Sequence, residues 1–156
     1  MNIGIIVYSR TSHTLSVATK LLERLSAAGH QVTLKELEID GPVDLSATTA
    51  ALKARPSIEA YSGLVLGTPV NGGRVSAAMN SYLAQIPTLA GMRIAFLLTH
   101  FFVRGWGANQ TVGQMTEVCQ SKGAEVCGAG TVRWTGPGRR RRISTALDEV
   151  VACFDS

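Results

Sequence analysis

The apolar run Ile3-Gly4-Ile5-Ile6-Val7-Tyr8 stops abruptly in Ser9-Arg10-Thr11-Ser12-His13-Thr14, four hydroxyls with one guanidinium and one imidazole among them. A helical pattern follows at once. Successive amide hydrogens at a helix N-terminus hold an anion, helped by the helix dipole, and neighbouring hydroxyls add donors. Such a turn suits a phosphate. The alternative is plain capping, since Ser and Thr commonly begin helices. Neither GxxxxGK[ST] nor GxGxxG is present, so a nucleotide P-loop and a dinucleotide fingerprint are both excluded. Adjacent Ser and His on one turn rarely achieve nucleophile geometry, and no GxSxG elbow occurs, which argues against a hydrolase. His13, His30 and His100 are too scattered in the sequence to suggest a metal site.

Two other stretches carry comparable signals. Thr68-Pro69-Val70-Asn71-Gly72-Gly73-Arg74 ends an apolar run, and its glycines either let backbone groups approach a ligand closely or simply make a turn. Thr99-His100-Phe101-Phe102-Val103-Arg104-Gly105-Trp106-Gly107 gathers three of the nine aromatic residues within six positions. Loop aromatics pack into a core end, bury in a dimer interface, or bind something flat.

These loops need a scaffold, and the apolar pattern supplies one. Residues 3–9, 62–68 and 93–100 are apolar on both faces, as strands covered by helices on each side should be. Residues 31–38 alternate, which suits an edge, and 124–134 is a strand interrupted by glycines. Between them, 12–29, 76–86, 109–123 and 139–154 show helical spacing, with a Ser cap at 76 and stops at Gly29, Pro87 and Gly123. The segment 41–58 reads as one short helix ending before Pro56. Regular alternation of strand and helix predicts an α/β fold: a doubly wound five-stranded parallel sheet, helices on both faces, in a single domain over residues 1–156. In such sheets ligands lie beyond the carboxyl ends of the strands, and those ends are 9–14, 68–76 and 99–108.

The residues in those three places resemble the flavodoxin-like proteins. "YSRTSHT" is similar to the (T/S)xTGxT loop in which that family holds the FMN phosphate, with Ser12 where the family usually has Gly. A positive φ at that position would strain serine by about 1 kcal/mol. "LGTPVNGG" is similar to the family's G(T/S)P segment beside the flavin ring, with Asn71 where an aromatic often stacks. The resemblance implies FMN as cofactor. It assigns the phosphate to Ser9, Arg10, Thr11, Ser12, His13 and Thr14. It assigns the ring to Thr68, Pro69, Val70, Asn71, Gly72 and Gly73 on one side, and to Thr99, His100, Phe101, Trp106 and Gly107 on the other. No protein acid, base or nucleophile is required. The loops contribute no carboxylate but do contribute arginines. One unit charge about 8 Å away at an effective dielectric near 20 is worth roughly 2 kcal/mol, which favours an anionic reduced flavin. That suits an NAD(P)H-dependent reductase passing electrons to a quinone or similar small acceptor. The alternatives are a flavodoxin-type electron carrier serving a protein partner, and an interaction domain that has lost FMN. A homodimer would cover the loop aromatics.

Composition adds limits. Fifteen Lys and Arg face eleven Asp and Glu, but Arg139 to Arg142 are consecutive, and setting them aside leaves eleven against eleven. The pI near 9.3 therefore reports one segment. Four arginines opening a helix oppose its dipole, so local stability does not explain them. They form a solvated turn or a patch for an acidic partner; no nucleic-acid motif accompanies them. Cys119, Cys127 and Cys153 show no CxxC spacing and read as mostly buried thiols of a cytoplasmic protein. No signal-peptide pattern or run of bilayer-spanning length is expected.

Overall fold

The computed structural model describes residues 1–101 and 106–155, Trp106 through its backbone alone. Strand β1 (Asn2–Val7) runs into helix α1 (His13–Ala27), then β2 (Gln31–Glu36) and two short strands, β3 (Glu38–Ile39) and β4 (Leu52–Ala54). Strand β5 (Gly63–Asn71) turns back as β6 (Arg74–Val75) before α2 (Ala77–Gln85). Strand β7 (Arg93–His100), α3 (Trp106–Ser121), β8 (Glu125–Arg133) and α4 (Arg139–Ala152) complete the chain.

The main strands pair in parallel in the order β2-β1-β5-β7-β8. The order reverses beside β1, so the crevice at its carboxyl end is the expected ligand position. Continuous apolar runs are explained by the two cores they feed. Alternate side chains Ile3, Ile5, Val7, Val65 and Leu97 pack under α1 and α4. Their neighbours Ile6, Leu64, Leu66, Phe96 and Leu98 pack under α2 and α3. The alternating strand β2 lies at the edge, as its pattern predicts.

Two expectations are corrected. Residues 41–58 form no helix; they contain β4, which pairs antiparallel with β3 just before the region, and the rest is irregular. Local side-chain bonding competes with helix there: Asp44 accepts from the Ser46 amide at 3.0 Å and hydroxyl at 2.7 Å. Helix α2 then pins the segment, Asn80 donating to the Thr48 carbonyl and Ser81 accepting from the Ala50 amide. Cys127 is also exposed, because β8 is the other edge strand, whereas Cys119 and Cys153 are buried.

Candidate functional site

The turn after β1 is built to leave amides free. Ser12 takes the left-handed conformation, φ 67° and ψ 2°, and its side chain makes no capping bond to α1. It is the one non-glycine residue at positive φ among the described residues. The Ser9 hydroxyl accepts from the Leu15 amide at 3.2 Å, and the Ser16 amide reaches the Ser12 carbonyl at 2.9 Å. The amides of Thr11, Ser12, His13 and Thr14 donate to no group among the described residues. Consecutive free amides around a left-handed residue make an anion-binding nest at a helix N-terminus. Ser12 therefore adopts the backbone that Gly would adopt without strain.

Three of the four threonines in the predicted set, Thr14, Thr68 and Thr99, bond internally. Thr14 and Thr99 share a buried hydroxyl–hydroxyl bond of 2.8 Å that ties α1 to the end of β7. The Thr68 hydroxyl donates to Ser76 at 2.7 Å, and Ser76 caps α2 by accepting from the Met79 amide. These hydroxyls hold the loops in register. Pro69 and Val70 are half-buried, Pro69 opposite Thr99 in the sheet and Val70 opposite Val75 in the hairpin.

Gly72 and Gly73, at φ 57° and 76°, form the two-residue turn of that hairpin, with Asn71 paired to Arg74. Two successive positive φ values match the twist of the strands and demand residues such as glycine. The turn reading of these glycines is thus sufficient for their φ values. The two loops meet, since a β-carbon on Gly107 would lie 3.5 Å from the Gly73 Cα. Asn71 borders small cavities shared with residues of the 40–50 segment, Asp40 and Asp44 among them. These carboxylates come from outside the three predicted loops. Hydrogen bonds from Ser46 hold the Asp44 carboxyl below its ordinary range.

Around the nest the side chains form a stack that sequence reasoning missed. His13 lies flat on Trp134, ring centroids 4.0 Å apart and planes 14° from parallel. Arg139 also lies over the Trp134 ring, its guanidinium carbon 4.5 Å from the centroid, and donates to the Trp134 carbonyl. Phe101, 47% exposed, meets His13 edge-on at 5.5 Å. A backbone bond from the Trp134 amide to the His100 carbonyl and a side-chain bond from the Thr135 hydroxyl to the Phe101 carbonyl lock the loops after β7 and β8 together. Burial first, and the Arg139 charge second, lower the His13 pKa from its ordinary 6.5, so the ring is neutral near pH 7. His100 is buried, and Arg10 is exposed at the tip of the turn. Phe102 and Arg104 fall outside the described residues, as does the side chain of Trp106. The signal for Trp134 was its place at the end of a parallel strand; that rule applies to every strand of the sheet.

The architecture is flavodoxin-like: a five-stranded parallel sheet between helices, with an anion nest after its first strand. A flavodoxin from Pseudomonas aeruginosa superposes at a TM-score of 0.71 and 15% identity, covering 100% of both chains. Flavodoxin 2 from Bacillus cereus gives 0.71 at 22% identity, over 99% of this chain and 97% of that one. A flavoprotein from Lactobacillus acidophilus, solved in complex with FMN, gives 0.68 at 16% identity over 93% and 97%. In sequence, an NAD(P)H dehydrogenase (quinone) from Gluconacetobacter diazotrophicus is 32% identical over 88 residues, 52% of this chain. The match spans 44% of that relative's length. No family model matches the chain.

Proposed function

We propose that this chain binds FMN and acts as an NAD(P)H-dependent reductase passing electrons to a quinone or similar small acceptor. The observation that carries the cofactor reading is the run of free amides from Thr11 to Thr14 around a left-handed Ser12. A dianionic phosphate ester satisfies such a nest better than any neutral group, through charge-assisted bonds and the helix dipole. The residues present fit the group. Bound FMN would supply hydride acceptance and electron release, and the protein's part is to hold and orient it. The nest would take the phosphate; Thr14–Thr99 and Thr68–Ser76 fix the surrounding loops. Arg10 and Arg74 lend positive charge and His13 stays neutral, while Asp40 and Asp44 near Asn71 moderate the field on that side. The choice of a reductase is supported by the partial likeness to the quinone-reducing dehydrogenase.

Flavin fluorescence quenching tests the cofactor reading. FMN is expected to bind about 100-fold more tightly than riboflavin, the worth of two or so charge-assisted bonds, with inorganic phosphate competing. Equal affinity for the two flavins would overturn the phosphate nest. Oxidation of NADH or NADPH by the FMN-loaded protein with a benzoquinone then tests the activity; a carrier would bind FMN equally well and fail here.

A further inference from the structure

The arginine run is placed by the fold beside the nest. Arg139 rests on Trp134, Trp134 rests on His13, and His13 opens the helix that carries the free amides. Arg142 has a structural task, donating to the carbonyls of Arg133, Thr135 and Pro137 and so folding the loop before α4. Arg10, Arg139, Arg140 and Arg141 are exposed. The ion pairs recorded among the described residues involve Arg24 and Arg93, and none of these four. Four uncompensated charges at one end equal the chain's whole formal excess of +4. At α4 they oppose the dipole, and desolvation, then the charges of Arg133 and Arg139, lower the pKa of Arg142. Stability therefore does not account for them.

Next to this patch Phe101 presents an exposed ring, edge-on to His13, with its backbone carbonyl held by the Thr135 hydroxyl. Exposed aromatic anchors bordered by arginines are the composition of protein-binding surfaces. Trp134 is already stacked with His13 and lies under Arg139, and no nucleic-acid motif accompanies the arginines. We infer that Arg10, Arg139, Arg140 and Arg141, with Phe101 as apolar anchor, form a docking surface for an acidic protein that exchanges electrons with the neighbouring site. The kind of partner rests on the redox reading above. The flavin comparison tests that reading separately, so loss of docking with FMN preference intact would overturn the surface alone.

The test uses the full chain and a plant-type ferredoxin, a small acidic iron–sulfur protein, as probe, with basic cytochrome c as control. Binding is followed by calorimetry or NMR titration. Two variants are used: R139E/R140E/R141E, and R140E/R141E, which leaves the Trp134 stack intact. Glutamates at a helix N-terminus favour the dipole, so both variants should fold, which thermal melting verifies. Expected are a ferredoxin complex weakened about fivefold or more between 50 and 200 mM salt, and at least tenfold by the triple reversal. F101S is expected to weaken the complex at low and high salt alike. Absent ferredoxin binding, unchanged affinity in the triple variant, equal binding of cytochrome c, or equally tight binding of a DNA duplex would each overturn the proposal.

Discussion

At the scale of single residues, the turn with the free amides is held by a buried bond between two threonines. The Thr14–Thr99 bond is buried, and deleting one partner strands the other hydroxyl. T99V is expected to cost about 1–3 kcal/mol in a denaturant melt, while T14V/T99V should cost less than the sum of the single changes. The sign of that coupling is the check. His13 offers a second measurement. Its folded pKa lies below 6.5, so the unfolded chain takes up the proton first as pH falls. Its contribution to stability is complete above about pH 6.5 and declines as pH drops through the folded value. In R139A the second cause disappears while burial persists. An NMR titration of the imidazole should therefore show its pKa rising in the variant yet remaining under 6.5. Ser12 could be suspected from the sequence, because it stands at the Gly position of the loop pattern. Its positive φ could not, since nothing local compels serine into that region.

At the scale of elements, the sheet was legible and the irregular segments were not. Residues 93–100 read as a strand because both faces of β7 are buried, and the structure places β7 over that same range. The helices were likewise legible from apolar spacing, with α3 beginning three residues earlier than its pattern showed. Residues 41–58 misled because a weakly periodic, Ser/Thr-rich stretch has no intrinsic preference strong enough to resist tertiary pinning by Asn80 and Ser81. Trp134 was seen only as the end of a strand, because its stacking partners lie far off in sequence. Arg142 was hidden for another reason: four identical residues differ only in what the fold puts beside them. R142A removes bonds to several loop carbonyls and is expected to lower the melting temperature, whereas R140A should leave it unchanged in the same melts.

At the scale of the molecule, the carboxyl ends of the strands carry the proposed site and the two cores lie on either side of the sheet. No helix among the described residues is long and apolar enough to cross a membrane. Because the nest exists only in the folded chain, FMN binding should stabilise it by mass action. At 100 times its dissociation constant FMN is expected to add about 2.7 kcal/mol, visible as a rise of several degrees in the melting temperature. Riboflavin at the same concentration should raise it far less. An equal rise with both flavins would place the binding energy in the ring contacts.

Arg24, in the last turn of α1, grips Ser144 and Asp148 of α4. Through that clasp the helix presenting the free amides and the helix presenting the arginines are fastened to one another well below their tips. Amide hydrogens along both helices would accordingly exchange with solvent in step, and cutting the clasp would let each keep its own time.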